Sequence, residues 1–65
     1  MQITVNGKAE TVSPCTILEF LEQKGLVPRA VIVEYNEQIA KRDVWDNTPL
    51  CEGDTLEVIA LVGGG

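Results

Sequence analysis

Only one stretch of this chain carries helical spacing over more than a single turn. Ile17, Phe20 and Leu21 fall at i, i+3 and i+4 and make one apolar stripe, with Glu19, Glu22 and Gln23 on the opposite side. Thr16-Ile17-Leu18-Glu19 has the spacing of a capping box. Ser13 with Pro14 at the first helical position is an alternative start. Gly25 marks the stop, Lys24 suits the negative end of the helix dipole, and Leu26 is expected to fold back onto the stripe. Most of the remainder reads as strand or turn. A single main helix covers one face of one sheet, so the chain must resolve into two layers.

The strands are set by period two and by turn chemistry. Ile3 and Val5 alternate with Gln2 and Thr4. Asn6-Gly7 then signals a tight hairpin, because both central residues of a type I′ turn need positive φ. The return strand, Lys8 to Val12, has Ala9 and Thr11 on one face and Glu10 and Val12 on the other, and its polarity places it near an edge. Val27-Pro28 reads as an extended link. The run Ala30 to Tyr35 is apolar almost throughout and suits a strand in the middle of a sheet. Asn36-Glu37 turns the chain into a short strand, Gln38-Ile39-Ala40. Lys41 to Asn47 is expected to close a short helical turn over the core rim with Val44 and Trp45, and Thr48-Pro49 to continue as loop. After the turn at Glu52-Gly53-Asp54, Thr55 to Ala60 is the last strand.

The order hairpin, helix, strand, short strand, final strand predicts an α+β fold. The sheet is mixed, four- to five-stranded, with the one main helix packed on one face. The last strand pairs in parallel with the first through a right-handed crossover. This is the ubiquitin-like β-grasp arrangement, expected over residues 1–61, followed by a flexible tail, 62–65.

The face away from the helix draws attention. With Leu56, Val58 and Ala60 facing inward on the last strand, Ile59 and Leu61 point outward. On the central strand Val31, Val33 and Tyr35 are expected in the core, leaving Ile32 and Glu34 outside. Ile32, Ile59 and Leu61, with Val62, form a candidate partner-binding patch beside the root of the tail. Exposed apolar patches rimmed by polar groups often mark protein interfaces, although scattered surface apolar residues are also common.

The sequence ends on Leu61-Val62-Gly63-Gly64-Gly65. Three residues without Cβ make the thinnest peptide available, one able to enter a narrow slot and present a carboxylate there. A frayed terminus is the plainer reading of the same residues. A carboxylate is a poor acyl donor and must be activated, usually as a mixed anhydride with AMP, before sulfur can replace oxygen. The chain has no GxxxxGK[ST] and no glycine-rich loop opening a helix, so a partner must supply the nucleotide site. Gly65 is then the candidate modification site, with Gly63 and Gly64 threading the partner. Small residues there let the partner's groups approach the reacting carbon.

Composition narrows the classes. A chain of 65 residues buries only about 60% of its unfolded surface and has little room for an enclosed active site. Ten acidic residues against five basic give a net charge of −5, which argues against nucleic acid and is compatible with a basic protein partner or with ordinary solubility. There is no histidine, and Cys15 and Cys51 form no zinc spacing. Both cysteines are expected to fill the core as small apolar groups. A redox pair would need their Cα atoms within about 7 Å. Met1 leads directly into a strand pattern, and no apolar run approaches a membrane span. A cytoplasmic, reduced, monomeric protein is expected.

Taken in order, these segments resemble the thiamine-biosynthesis sulfur carriers, the ThiS family. The resemblance spans the whole chain: Ile3-Thr4-Val5-Asn6-Gly7, Thr16 to Leu21, Tyr35-Asn36-Glu37-Gln38-Ile39, Glu52 to Val58 and the ending Val62-Gly63-Gly64-Gly65. Arg42-Asp43-Val44-Trp45 looks like the family's Arg-x-x-Trp segment, with Lys41 where a proline commonly stands. The resemblance implies a carrier that is not itself an enzyme and binds no cofactor. It implies that an E1-like adenylyltransferase (ThiF- or MoeB-like) consumes ATP to adenylate Gly65. A sulfurtransferase or cysteine desulfurase route then yields the thiocarboxylate, and a ThiG-like thiazole synthase accepts the sulfur. The alternatives are the small subunit of molybdopterin synthase, a carrier for cysteine, methionine or another sulfur metabolite, and a non-covalent β-grasp interaction module.

Overall fold

The computed structural model describes residues 1–61. Five strands, β1 (Gln2–Val5), β2 (Lys8–Thr11), β3 (Val31–Tyr35), β4 (Gln38–Ala40) and β5 (Thr55–Ala60), form one sheet in the order β2-β1-β5-β3-β4. β5 runs parallel to β1 and antiparallel to β3; the two hairpin pairs are antiparallel. One α-helix, α1 (Ile17–Gln23), packs on one face, and 3-10 turns cover Pro28–Ala30 and Arg42–Asn47.

Local chemistry explains most of these boundaries. Asn6 (φ 50°) and Gly7 (φ 83°) make the tight turn between β1 and β2. Thr16 caps α1: its Oγ1 accepts from the Glu19 amide at 3.1 Å while the Glu19 carboxylate accepts from the Thr16 amide at 2.9 Å. The helix therefore starts at Ile17 and not at Pro14. At its end Gly25 (φ 75°) donates to the Glu22 carbonyl and Leu26 donates to that of Leu21, the two bonds of a Schellman cap. Leu26 folds back onto the core as its sequence position implies.

The core is one cluster. Ile17, Phe20 and Leu21 of the helix meet Ile3 and Val5 of β1, Val31 and Val33 of β3 and Leu56 of β5. Side-chain direction follows the register: Val33 lies opposite Val58 and Ile32 opposite Ile59, so inward and outward sets alternate on both strands.

Several sequence expectations are corrected. Val27-Pro28 does not lead straight into a strand; Pro28 sits at the first position of a 3-10 turn, where its fixed φ is favourable, and Ala30 belongs to that turn. Trp45 is not a rim residue. It is 2% exposed, and its indole N–H donates to the Ala40 carbonyl at 2.9 Å, while Val44 points to solvent. Leu50 is a further core residue. Cys15 is buried, but Cys51 is exposed, so only one cysteine fills the core; both thiols are free. Burial, and then the nearby Glu19 charge, push the Cys15 thiol up. Lys24 crosses to β2 and pairs with Glu10, with its ammonium 5.6 Å from the centre of the Phe20 ring. The inward-facing Ala60 stays exposed, because seven helical residues span about 10 Å and leave the far end of β5 uncovered. The tail expected at 62–65 lies outside the described residues.

Candidate functional site

The outer face of the sheet is built by β5 and its neighbours. Ile32 and Ile59 stand directly opposite each other across β3 and β5, with relative exposures of 36% and 46%. Leu61 follows at 45%. Its amide donates to the Ala30 carbonyl at 2.7 Å, so the chain is still tied to the turn that leads into β3 at the last described residue. The outward residues Ile32, Ile59 and Leu61 thus come together where the chain leaves the middle of the sheet. Val62, Gly63, Gly64 and Gly65 lie outside the described residues.

Two features of this face were not singled out in the sequence. Ile39 of β4 is the most exposed large apolar residue, at 61%, and lies opposite Glu34 on the same outer surface. Period two in Gln38-Ile39-Ala40 was the available signal. Glu34 and Glu57 also face each other directly across β3 and β5. Like charges opposite one another destabilise a sheet. Neither has a basic partner within ion-pair distance among the described residues.

The opposite end of β5 holds a buried carboxylate. Asp54, read from sequence only as a turn residue, is 8% exposed. Its oxygens accept from the Tyr35 hydroxyl at 2.7 Å, the Cys51 amide at 2.7 Å and the Asn36 side-chain amide at 3.2 Å. Burial pushes the Asp54 carboxyl up, but these hydrogen bonds outweigh it and hold the group below the ordinary carboxylate range. The Tyr35 hydroxyl is pushed up to about 12, first by the bond to Asp54 and then by burial. Three donors engage both oxygens of the carboxylate, so it works as a clasp between the 51–54 turn and the β3–β4 turn. It is not placed as an acid or base for a ligand. Among the described residues no cluster of three or more Cys, Asp or Glu could hold a metal ion, and no helix is long and apolar enough to cross a membrane.

Known proteins agree with this architecture. The model of the ThiS family matches residues 3–65. The chain belongs to the ThiS family. A solved crystal structure of the thiamine biosynthesis protein ThiS from Geobacter metallireducens superposes with a TM-score of 0.86 at 33% identity, with all of both chains covered. The sheet with its single main helix is therefore the β-grasp fold of this family. The sulfur carrier protein ThiS of Thermus thermophilus is 33% identical over 63 residues, which is 97% of this chain and 98% of the relative. A thiazole synthase of Paramagnetospirillum magneticum is 32% identical over 66 residues, aligning with 100% of this chain. Here the chain spans only 20% of the relative's length.

Proposed function

We propose that this chain carries sulfur for the thiazole ring of thiamine on the carboxylate of Gly65. The observation that carries the reading is the position of Leu61. The last described residue leaves a central strand beside the outward pair Ile32 and Ile59, four residues before the terminal glycine. A partner that grips this face has the tail within reach.

The chemistry falls to partners. An adenylating enzyme presents ATP, and a Gly65 carboxylate oxygen attacks the α-phosphorus, expelling pyrophosphate. The terminal sulfur of a persulfide, supplied by a sulfurtransferase or cysteine desulfurase, then attacks the acyl carbon and expels AMP. A thiol cleaves the resulting acyl disulfide, becoming part of a disulfide with the donor and freeing the thiocarboxylate. A thiazole synthase is the acceptor; alignment of a relative of that name along this whole chain supports the pairing. The chain itself supplies the carboxylate, a slender approach and a docking face, and works as a cosubstrate in the cytoplasm.

Incubation of the purified chain with ATP, its adenylating enzyme and a persulfide donor, followed by mass spectrometry of the terminal peptide, tests the reading. The expected product has one oxygen replaced by one sulfur. An unmodified terminus with an active enzyme would instead favour a non-covalent β-grasp module.

A further inference from the structure

The chain has a net charge of −5, yet two of its five cations, Lys41 and Arg42, line one groove, and Arg42 reaches the backbone at the root of the tail. Arg42 Nη2 donates to the Arg29 carbonyl at 2.9 Å, one residue before Ala30, whose carbonyl holds the Leu61 amide. The groove measures about 300 Å³, and its lining joins Trp45 and Val31 to the outer-face residues Ile32 and Ile39 and to the cations Lys41 and Arg42. Asp43 and Asp46, on the same 3-10 helix, do not line it. Arg29, Lys41 and Arg42 have no carboxylate within ion-pair distance among the described residues.

We infer that this groove docks an acidic segment of the adenylating enzyme, one apolar side chain lying against Ile32 and Ile39 and a neighbouring carboxylate meeting Lys41 and Arg42. The inference rests on the carrier reading above and extends the docking face beyond the Ile32–Ile59 pair. The apolar lining demands an apolar group and the two cations demand an anion, and a peptide segment offers both side by side. The nucleotide is the other anion in the reaction, but it belongs at the far end of the tail. Four residues beyond Leu61 span up to about 13 Å when extended into a partner's slot, which removes the phosphates from the groove. Opposite charges at the rim of an interface set encounter rate and orientation, and here they would aim the tail root at the slot.

The test is affinity of the full chain for the adenylating enzyme at low and high salt. Lys41→Glu with Arg42→Glu should weaken binding about tenfold or more at low salt, with the gap shrinking at high salt. Lys41→Glu alone, at a side chain with no hydrogen-bond or ion-pair partner among the described residues, should show a smaller loss of the same sign. Lys8→Glu, on the remote edge strand, should leave affinity within about twofold. Unchanged affinity in a folded double variant would overturn the inference while wild-type adenylation, read by ATP–pyrophosphate exchange, leaves the carrier role standing. Absence of wild-type adenylation sinks both. If ATP alone binds the isolated chain and Lys41→Glu abolishes that binding, the groove is a nucleotide site and the inference is wrong.

Discussion

The side-chain amide of Asn6 bonds both backbone groups of Val58. The Val58 amide donates to Asn6 Oδ1 at 2.7 Å, and Asn6 Nδ2 donates to the Val58 carbonyl at 3.3 Å. The Asn6 backbone amide also donates to the Leu56 carbonyl at 2.9 Å. A side chain thus stands in for the next peptide of β1 and continues the parallel ladder after the backbone has turned away. Asn36 makes a related pair at the other hairpin: its Oδ1 accepts from the Thr55 amide at 2.9 Å and its backbone N–H donates to the Thr55 carbonyl at 2.8 Å. The two hairpin turns clasp β5, the strand that delivers the tail.

Replacing Asn6 with glycine keeps the positive φ and removes only the clasp. Asn6→Gly is expected to destabilise the fold by about 1–2 kcal/mol. Urea unfolding followed by far-UV circular dichroism measures it, and an unchanged midpoint would show that water replaces the amide at no cost.

The Tyr35–Asp54 pair makes stability depend on pH at both extremes. The Asp54 carboxyl is depressed in the folded chain, so its contribution is present above the ordinary carboxylate value of about 3.9 and is lost as pH falls below that through the folded value. The Tyr35 hydroxyl is raised, so its contribution is full below the ordinary value of 10 and is lost as pH rises from there to about 12. Tyr35→Phe should cost about 1–3 kcal/mol at neutral pH and remove this residue's alkaline loss. Chemical denaturation across the pH range checks both signs.

Glu37 occupies the second position of the β3–β4 turn with φ 73°, where an L side chain is strained. Glu37→Gly relieves that strain against a larger unfolded-state entropy. A net gain of up to about 1 kcal/mol is expected, read as a higher melting temperature.

The facing carboxylates Glu34 and Glu57 repel across the outer face. Glu34→Gln should stabilise the chain by about 0.5 kcal/mol at low salt and less at high salt. A loss of stability would show that the two carboxylates do not repel across this face.

Docking and acyl chemistry separate by position. Ile59→Glu should leave the melting temperature near that of the parent and weaken binding to the adenylating enzyme about tenfold. Gly65→Ala should leave both folding and docking intact and impair adenylation, because the added methyl blocks close approach to the acyl carbon. Normal thiocarboxylate formation by Gly65→Ala in a purified system would contradict the steric argument.

Much of the fold was legible because its signals are local. Asn6-Gly7, the Thr16–Glu19 box, the Gly25 stop and the alternation of β1, β3 and β5 each act within a few residues, and the structure realises all of them. From the same alternation the outward set Ile32, Ile59 and Leu61 could be named in advance. The depth of Trp45, the burial of Leu50 and the solvent position of Cys51 had no local signal, since each depends on where an irregular segment lands on the core.

Sequence by itself determined the element order and the turn chemistry, because these follow from steric and hydrogen-bonding preferences of neighbouring residues. Only the tertiary structure decided that Asp54 is a clasp held by three donors and that Asn6 reaches across 52 positions to Val58. It also decided that Arg29 and Arg42 meet beside Leu61. Those contacts join distant parts of the chain, and their partners are fixed by how the sheet closes and not by any spacing along it.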